Sequence, residues 1–332
     1  MDNRLDQVAQ RDESVERSIT MCTSIKMDYP GGSVLGRTMD LERPGPYNIL
    51  YQPRQAKSAD NLLGGTFSGK YRTLGVGFRN LFPLKDGIND QGLMGVANDY
   101  GGFGLFPKEV DSNKINVSSY HFLTYLLANF ASVDEVIEAL PHLHLPSRDF
   151  RGDKVITPDF HFMLADSNQR CIIIEPEKKG LRYYENPYQV MTNAPRYPSQ
   201  ERYLKQVIDS LEDLDAFNGA KDLPGGYDPK DRFVKAFYLS QNSLEASDGQ
   251  DALGYLYRCL SAVALPKGFI KNKRFDSITF TQYISAYDSQ SRLLTLQAAD
   301  NPTVYQVSFQ DIHDLDQEQS LYIPERFVGH PL

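Results

Sequence analysis

Three residues of complementary chemistry lie close together in the sequence: the thiol of Cys22, the guanidinium of Arg37 and the carboxylate of Asp40. The thiolate is the nucleophilic form of cysteine, and a nearby positive charge favours it. A carboxylate can hold an ammonium group. These residue types therefore suit attack on a carbonyl carbon. The alternative for Arg37 and Asp40 is an ion pair on a strand surface, worth about 0–1 kcal/mol.

Cys22 directly follows Met21, which suggests a second catalytic group. If Cys22 became the first residue of the chain, its α-amine, with a pKa near ~7.7, could act as a base at neutral pH. An unassisted thiol, with a pKa near ~8.5, is only slightly ionised there. One residue would then supply both nucleophile and base, as in N-terminal nucleophile enzymes. The alternative is a buried cysteine at the start of a strand.

A β-hairpin is expected to position these groups. Residues 24–27 alternate as in a strand, residues 30–32 (Pro-Gly-Gly) form a turn signal, and residues 33–41 return as the partner strand. A turn centred on residues 31 and 32 would place Arg37 opposite Lys26, on the same face as Cys22. It would bring Cys22 and Thr23 level with Asp40 and Leu41, and direct the Asp40 side chain to the other face.

The rest of the chain predicts an α+β fold. Helices are expected to start near residue 118 and at Ser132, and to cover 199–211, 228–239 and 249–264, with Asp228 as an N-cap. Further strands are expected at 47–53, 73–78, 92–100, 160–166, 171–175, 181–184, 189–192, 277–287, 292–297 and 303–309, with a loop over 66–72. Strands grouped before and after helices indicate antiparallel sheets in layers.

Composition excludes several classes of protein. The 332 residues carry a formal charge of −8 and a pI near 5.3, which argues against a nucleic-acid partner. The sequence contains no apolar run long enough for a transmembrane helix. An odd count of three cysteines fits a reducing compartment, so we expect a cytoplasmic location. His142 and His144 have no accompanying acidic or cysteine cluster, so no metal site is predicted.

Residues 1–21 are expected to be absent from the mature enzyme. Residues 1–20 are polar and lack the apolar core of a secretory signal. They could be an autocleaved propeptide, the product of an unused upstream start, or an added extension. Residues 22–332 are expected to form a single domain.

Four separated motifs occur in order along the chain: Cys22 with GRTMD at 36–40, GLMGVANDY at 92–100, VMTNAP at 190–195, and LPGGYDPKDRFVKA at 223–236. Together they resemble the motifs of one family, the choloylglycine hydrolases, which contains penicillin V acylases and conjugated bile salt hydrolases. The resemblance implies the four-layer αββα sandwich of N-terminal nucleophile hydrolases, with two stacked antiparallel sheets. It implies no cofactor and no metal, and a homotetramer by family analogy.

The resemblance also assigns roles to individual residues. The catalytic set would be Cys22, Arg37, Asp40, Asn98, Asn193 and Arg232, and the substrate-binding pair would be Asp99 and Tyr100. From the sequence alone, Asn193 could equally terminate a strand before Ala194-Pro195. A cation at Arg232, in the first turn of a helix, is mildly unfavourable with the helix dipole and should have a specific partner.

The position expected to hold the oxyanion asparagine departs from the family's motif. Counted from the Gly-Leu pair that the family shares, Asn98 in GVANDY lies one residue before the family's oxyanion position. An ungapped match puts Asp99 at that position, where the penicillin V acylase pattern carries tyrosine. A carboxylate would be a poor oxyanion donor unless protonated. We therefore expect Asn98 to take that role.

These features predict an amidase that acts on small-molecule linear amides through a thioester. The GLMG stretch is more like the penicillin V acylase branch, so a phenoxyacetyl or other small hydrophobic acyl group is expected. The alternatives are a conjugated bile salt hydrolase that releases glycine or taurine, an N-acyl homoserine lactone acylase, and a non-catalytic binding protein with a blocked Cys22 amine.

Overall fold

A computed structural model describes residues 21–42, 45–60, 63, 65–78, 83–147, 158–210, 219, 223–272, 276–324 and 326. Residues 1–20, part of the expected extension, lie outside this range. The described part contains two large antiparallel sheets with helices on their outer faces. This is the expected α+β sandwich of four layers.

The first sheet has seven strands and carries the amino-terminal hairpin. Its strands are β1 (Met21–Tyr29), β2 (Gly32–Leu41), β14 (Val190–Met191), β15 (Ile270–Asn272), β16 (Ser277–Asp288), β17 (Leu293–Ala298) and β18 (Val304–Ser308). Their order is β14-β1-β2-β16-β17-β18, and β15 also pairs with β16. β1 and β2 are almost wholly buried because other layers cover both of their faces.

The second sheet has eight strands and lies against the first. They are β3 (Tyr47–Gln52), β6 (Thr73–Phe78), β7 (Leu84–Asn89), β8 (Met94–Asp99), β11 (Phe160–Ala165), β12 (Cys171–Glu177), β13 (Gly180–Glu185) and β19 (Gln319–Tyr322). Their order is β13-β12-β11-β8-β7-β6-β3-β19. Apolar side chains such as Val76, Ile88 and Met163 pack in the core shared with the first sheet.

Five helices form the outer layers. They are α1 (Ser119–Asn129), α2 (Val133–Ala139), α3 (Tyr197–Ser210), α4 (Pro229–Gln241) and α5 (Gly249–Val263). α1 packs on β7 and β8, whereas α4 and α5 pack on β1 and β2. Two short pairs, β4 (Lys57–Asp60) with β5 (Gly65–Ser68) and β9 (Ile115–Asn116) with β10 (Leu143–His144), lie outside the large sheets. None of the helices in the described ranges is long and apolar enough to cross a membrane.

Two expectations about local structure need correction. The hairpin turn occupies Pro30 and Gly31, so Arg37 pairs with Ser24 rather than Lys26, and Cys22 pairs with Met39. Each cross-strand partner is therefore displaced by two residues from the expected one. Each side chain stays on its expected face because strand side chains alternate with period two. The loop expected over 66–72 was wrong in its first part, since residues 66–68 belong to β5, whose pairing with β4 overrides weak strand propensity.

The helix caps are confirmed. Ser132 accepts a hydrogen bond from the backbone of Glu135, and Asp228 accepts from the backbones of Lys230 and Asp231. Asp228 thereby sets the start of α4, and with it the position of Arg232.

Candidate active site

The sulfur of Cys22 lies at the start of β1, in the space between the two sheets. The side chain is 1% exposed, and Nη2 of Arg37 donates a hydrogen bond to Sγ over 2.7 Å. Burial raises the pKa of the Cys22 thiol, while the charge of Arg37 opposes that rise. The thiol therefore depends on Arg37 for its ionised form.

Arg37 is held by the neighbouring sheet. Its Nη1 donates to the carbonyl of Ala97 over 2.8 Å and lies 3.7 Å from Oδ2 of Asp86. Asp86 in turn accepts hydrogen bonds from three hydroxyl groups of β16: Tyr283 (2.7 Å), Ser285 (2.8 Å) and Tyr287 (2.5 Å). This buried network keeps the guanidinium directed at the sulfur. Sequence reasoning missed Asp86 and also the strand β7 that carries it, because the sequence LKDGIN is half polar and shows no strand-like alternation.

Asp40 lies on the opposite face of the hairpin, as its position in the strand predicted. Its carboxylate accepts from the hydroxyls of Thr38 (3.0 Å) and Thr281 (2.6 Å). Thr38 also accepts from the backbone nitrogen of Thr23, which links the carboxylate to β1. Burial raises the pKa of Asp40 to about 6, against the opposing charge of Arg232.

Asn193 follows β14 and contacts the backbone of Cys22. Its Oδ1 accepts from the backbone nitrogen of Cys22 over 2.6 Å and from Nη2 of Arg232 over 2.9 Å. Its Nδ2 donates to the carbonyl of Asp99 over 2.9 Å, which leaves one of the two amide hydrogens for another acceptor. The side chain therefore links β1, β8 and α4 at one point.

Arg232 has the specific partners that its position in the first turn of α4 required. Nη1 donates to the carbonyl of Cys22 and to the hydroxyl of Thr23, both over 2.6 Å. Nε donates to the carbonyl of Tyr227 over 2.8 Å. The residue is fully buried, and burial lowers its pKa. Arg232 thus fixes the backbone on both sides of the Cys22 carbonyl.

The side chain of Asn98 joins β8 to β1 and to the backbone just before Asn193. Its Nδ2 donates to Oγ of Ser24 (3.1 Å) and to the carbonyl of Thr192 (3.0 Å), and lies 3.4 Å from that of Met191. Both amide hydrogens therefore have acceptors within the protein, and an oxyanion role for Asn98 stays a prediction.

The two residues predicted to bind substrate differ in exposure. Asp99 is partly exposed at the end of β8, and its carbonyl accepts from Asn193. Tyr100 is fully buried, and its ring stacks on His161 with 4.4 Å between the ring centroids. Substrate contact by Tyr100 stays a prediction.

The described residues contain no group of three or more histidine, cysteine or acidic side chains that could hold a metal ion. Nε2 of His144 instead contacts the carbonyl of Glu109 over 2.9 Å. The other two cysteines, Cys171 and Cys259, are buried and unpaired.

An aromatic group that the sequence did not single out lies beside the site. Tyr47 stacks on Phe78 with 5.1 Å between centroids and meets Tyr283 edge-on at 5.0 Å. Its buried hydroxyl has no hydrogen-bond partner within the described part of the chain. Burial raises the pKa of Tyr47, and the charges of Arg37 and Cys22 are close enough to act on it.

Comparison with known proteins identifies the family. The model for linear amide C–N hydrolases of the choloylglycine hydrolase family matches residues 22–322, beginning at Cys22. The chain belongs to the choloylglycine hydrolase family. As a choloylglycine hydrolase family member, it is an enzyme that hydrolyses carbon–nitrogen bonds in linear amides.

Two curated relatives and one solved structure are similar to this chain, the last in its fold. The bile salt hydrolase/transferase of Clostridium perfringens is 27% identical over 282 residues, which cover 80% of this chain and 85% of the relative. The penicillin V acylase of Pectobacterium atrosepticum is 26% identical over 338 residues, covering 91% and 86%. The structure of a mutant conjugated bile acid hydrolase from Clostridium perfringens superposes with a TM-score of 0.82 at 23% identity, covering 94% of this chain and 99% of the other.

Proposed function

We propose that the mature enzyme begins at Cys22 and is a cysteine N-terminal nucleophile amidase. The observation that supports this most directly is the pair of contacts made by Cys22: its sulfur with Arg37 at 2.7 Å, and its backbone nitrogen with Asn193 at 2.6 Å. Loss of residues 1–21 would convert that nitrogen to an α-amine already held beside the sulfur. Nucleophile and base would then belong to one residue.

The reaction follows from this arrangement. The Cys22 thiol gives its proton to the α-amine, and the thiolate attacks the amide carbonyl. The tetrahedral intermediate collapses when the ammonium passes the proton to the leaving nitrogen, which departs as an amine and leaves a thioester. Water, deprotonated by the same amine, then attacks the thioester to release a carboxylic acid and regenerate the thiol.

The surrounding residues support these steps without reacting. The free amide hydrogen of Asn193 is a candidate donor to the oxyanion, and removing such a donor typically costs about 10²–10³ in kcat. Arg37 stabilises the thiolate. Arg232 and Asp40 are positioning residues, because they hold the backbone of β1 and the side chain of Asn193.

We assign an aromatic or small hydrophobic acyl group to the substrate, as in phenoxyacetyl amides of the penicillin V type. Tyr47, whose pKa is affected by the charges of Arg37 and Cys22, stacks on Phe78, and these two rings would pack on an aryl ring of the substrate. The second candidate is a conjugated bile salt, which is favoured by the 27% identity to a relative named as a bile salt hydrolase.

The two candidates differ in the product that they release. Purified enzyme would be given penicillin V and glycocholate separately, and 6-aminopenicillanic acid and glycine would be measured. Faster release of 6-aminopenicillanic acid supports the aryl-acyl assignment, whereas faster release of glycine favours the bile salt. Cleavage of an N-acyl homoserine lactone alone would indicate an acylase for such signals.

Amino-terminal sequencing tests the central claim. Cysteine in the first cycle supports the enzyme, and a fully active protein with Met1 in the first cycle contradicts the proposal. A non-catalytic binding protein would carry a blocked Cys22 and cleave none of the three substrates. A cytoplasmic location and a homotetramer stay predictions.

A further inference from the structure

Among the residues that the structure describes, Lys85 is a largely buried cation with no paired anion. It lies on β7 with 6% of its surface exposed, and its ammonium has no hydrogen bond or ion pair to any residue that the structure describes. Three aromatic rings surround Nζ: Tyr120 at 4.0 Å, Phe160 at 4.8 Å and Phe78 at 5.5 Å from the ring centroids. Among the described residues, the contacts of this ammonium are therefore aromatic rings rather than carboxylates.

The rings do not fully offset the cost of burying this charge. Cation–π contacts stabilise a desolvated ammonium by less than removing that ion from water costs. Burial, followed by repulsion from Arg37, lowers the pKa of Lys85 to about 7. Asp86 opposes this shift, but its carboxylate is already held by three hydroxyl groups of β16. The site therefore favours an additional negative charge.

Lys26 of the same protein shows how a purely structural lysine is accommodated. It is fully buried, and its Nζ pairs with Asp28 at 2.5 Å and donates to the carbonyl of Gln169 over 3.0 Å. Lys85 has no equivalent of either contact among the described residues. A packing role alone therefore explains Lys85 poorly.

The ammonium also lies within electrostatic range of the site. The charge of Arg37 helps to lower the pKa of Lys85, and Arg37 donates a hydrogen bond to the sulfur of Cys22. Phe78, one of the three rings, stacks on Tyr47, whose pKa is affected by the charges of Arg37 and Cys22. Phe78 therefore neighbours both the ammonium and a residue within electrostatic range of the nucleophile.

We infer that Lys85, together with Phe78, Tyr120 and Phe160, forms a subsite for an anionic group of the amide substrate. The group is a carboxylate, or a similarly charged sulfonate, carried by the acyl part or by the leaving amine. Nζ would donate to its oxygens while the rings pack on the adjoining carbon atoms. This inference rests on the proposed amidase function and narrows its substrate class.

Two pairs of synthetic amides distinguish the two possible sources of the charge. The acyl pair is 4-carboxyphenoxyacetyl-p-nitroanilide and phenoxyacetyl-p-nitroanilide. The amine pair is phenoxyacetylglycine and phenoxyacetylglycinamide. Within each pair only one member carries the carboxylate. Released p-nitroaniline is followed by absorbance, and released glycine or glycinamide by mass spectrometry.

The variants are Lys85→Met, Lys85→Gln and Lys85→Arg, with Lys205→Met on the exposed face of α3 as the matched control. We expect Lys85→Met to lower kcat/KM at least tenfold for the charged member of one pair, and less than threefold for its neutral partner. Lys85→Gln provides the same comparison if the methionine variant does not fold. Lys85→Arg should recover part of the loss because it keeps the charge.

Equal effects on charged and neutral members of both pairs would overturn the subsite while leaving the amidase proposal intact. A wild-type enzyme that begins at Cys22 but cleaves none of the four amides, and neither penicillin V nor glycocholate, would overturn the proposed function, and the subsite with it. The two failures are therefore distinguishable.

Discussion

The backbone nitrogen of Cys22 lies 2.6 Å from Oδ1 of Asn193, although the two residues are 171 positions apart in the chain. The same oxygen accepts a hydrogen bond from Arg232. An amine released at Cys22 would therefore be oriented by a side chain that is itself fixed by a buried cation. Four predictions follow from this arrangement and from the networks around it.

Cys22→Ser should lower kcat/KM at least 10³-fold. A hydroxyl is far less acidic than a thiol, so Arg37 cannot maintain the corresponding anion. Amide hydrolysis under substrate-limited conditions measures the effect, and mass spectrometry of quenched enzyme should show an acyl adduct only in the wild type. Cys259→Ala is the matched control, since Cys259 is a buried cysteine of α5 whose sulfur contacts the hydroxyl of Ser243. Wild-type activity in the serine variant would contradict the mechanism.

Asn193→Ala should lower kcat by about 10²–10³ with a smaller change in KM, because an oxyanion donor acts mainly in the transition state. It also removes the acceptor for the Cys22 nitrogen. Asn98→Ala is the informative comparison. If Asn98 only joins Ser24 to the carbonyl of Thr192, its removal should affect the unfolding free energy more than kcat. A larger fall in kcat for Asn98→Ala would assign the oxyanion role to Asn98.

Asp40 should make the chain that retains Met21 less stable as the pH rises. Its pKa is about 6 in the folded chain and near 3.8 in the unfolded chain, so the folded state binds the extra proton between these values. The contribution is fully present below about pH 4 and is lost as the pH passes 6. A shift of one unit corresponds to about 1.4 kcal/mol, so the loss should approach 3 kcal/mol.

Urea denaturation at several pH values, with Asp40→Asn as the comparison, measures this dependence. The asparagine variant should lack the decline between pH 4 and 6. An identical pH profile in both proteins would show that Asp40 is not the titrating group.

Asp86→Asn should destabilise the protein by about 3–5 kcal/mol because it breaks a buried charge network. Three hydroxyl groups of β16 would lose the charged acceptor of their hydrogen bonds. Arg37 would lose the carboxylate with which it forms an ion pair. The control is Asp90→Asn, whose partner Arg54 is half exposed and whose ion pair should contribute about 0–1 kcal/mol. Chemical denaturation measures the free energy of unfolding of both variants. Equal losses in the two variants would exclude a structural role for the Asp86 network.

The limits of sequence reasoning are clear in the hairpin. Alternation and the Pro-Gly-Gly turn predicted the correct faces for Cys22, Arg37 and Asp40, because a register error of two residues does not change the face of a strand. The same patterns gave the wrong cross-strand partner for Arg37. The register of the hairpin depends on which two residues form the turn. The sequence did not distinguish a turn at residues 30 and 31 from one at residues 31 and 32.

By itself, the sequence determined the layered α+β class, the caps that start α2 and α4, and the strand faces, because these depend on local periodicity and on residues a few positions apart. Only the tertiary structure decided that Asn193 and Arg232 meet Cys22, that Asp86 supports Arg37, and that Lys85 lies among aromatic rings without an anion among the described residues. Those contacts join strands and helices that are distant in the chain. Their geometry is set by how two sheets pack together, which no local pattern encodes.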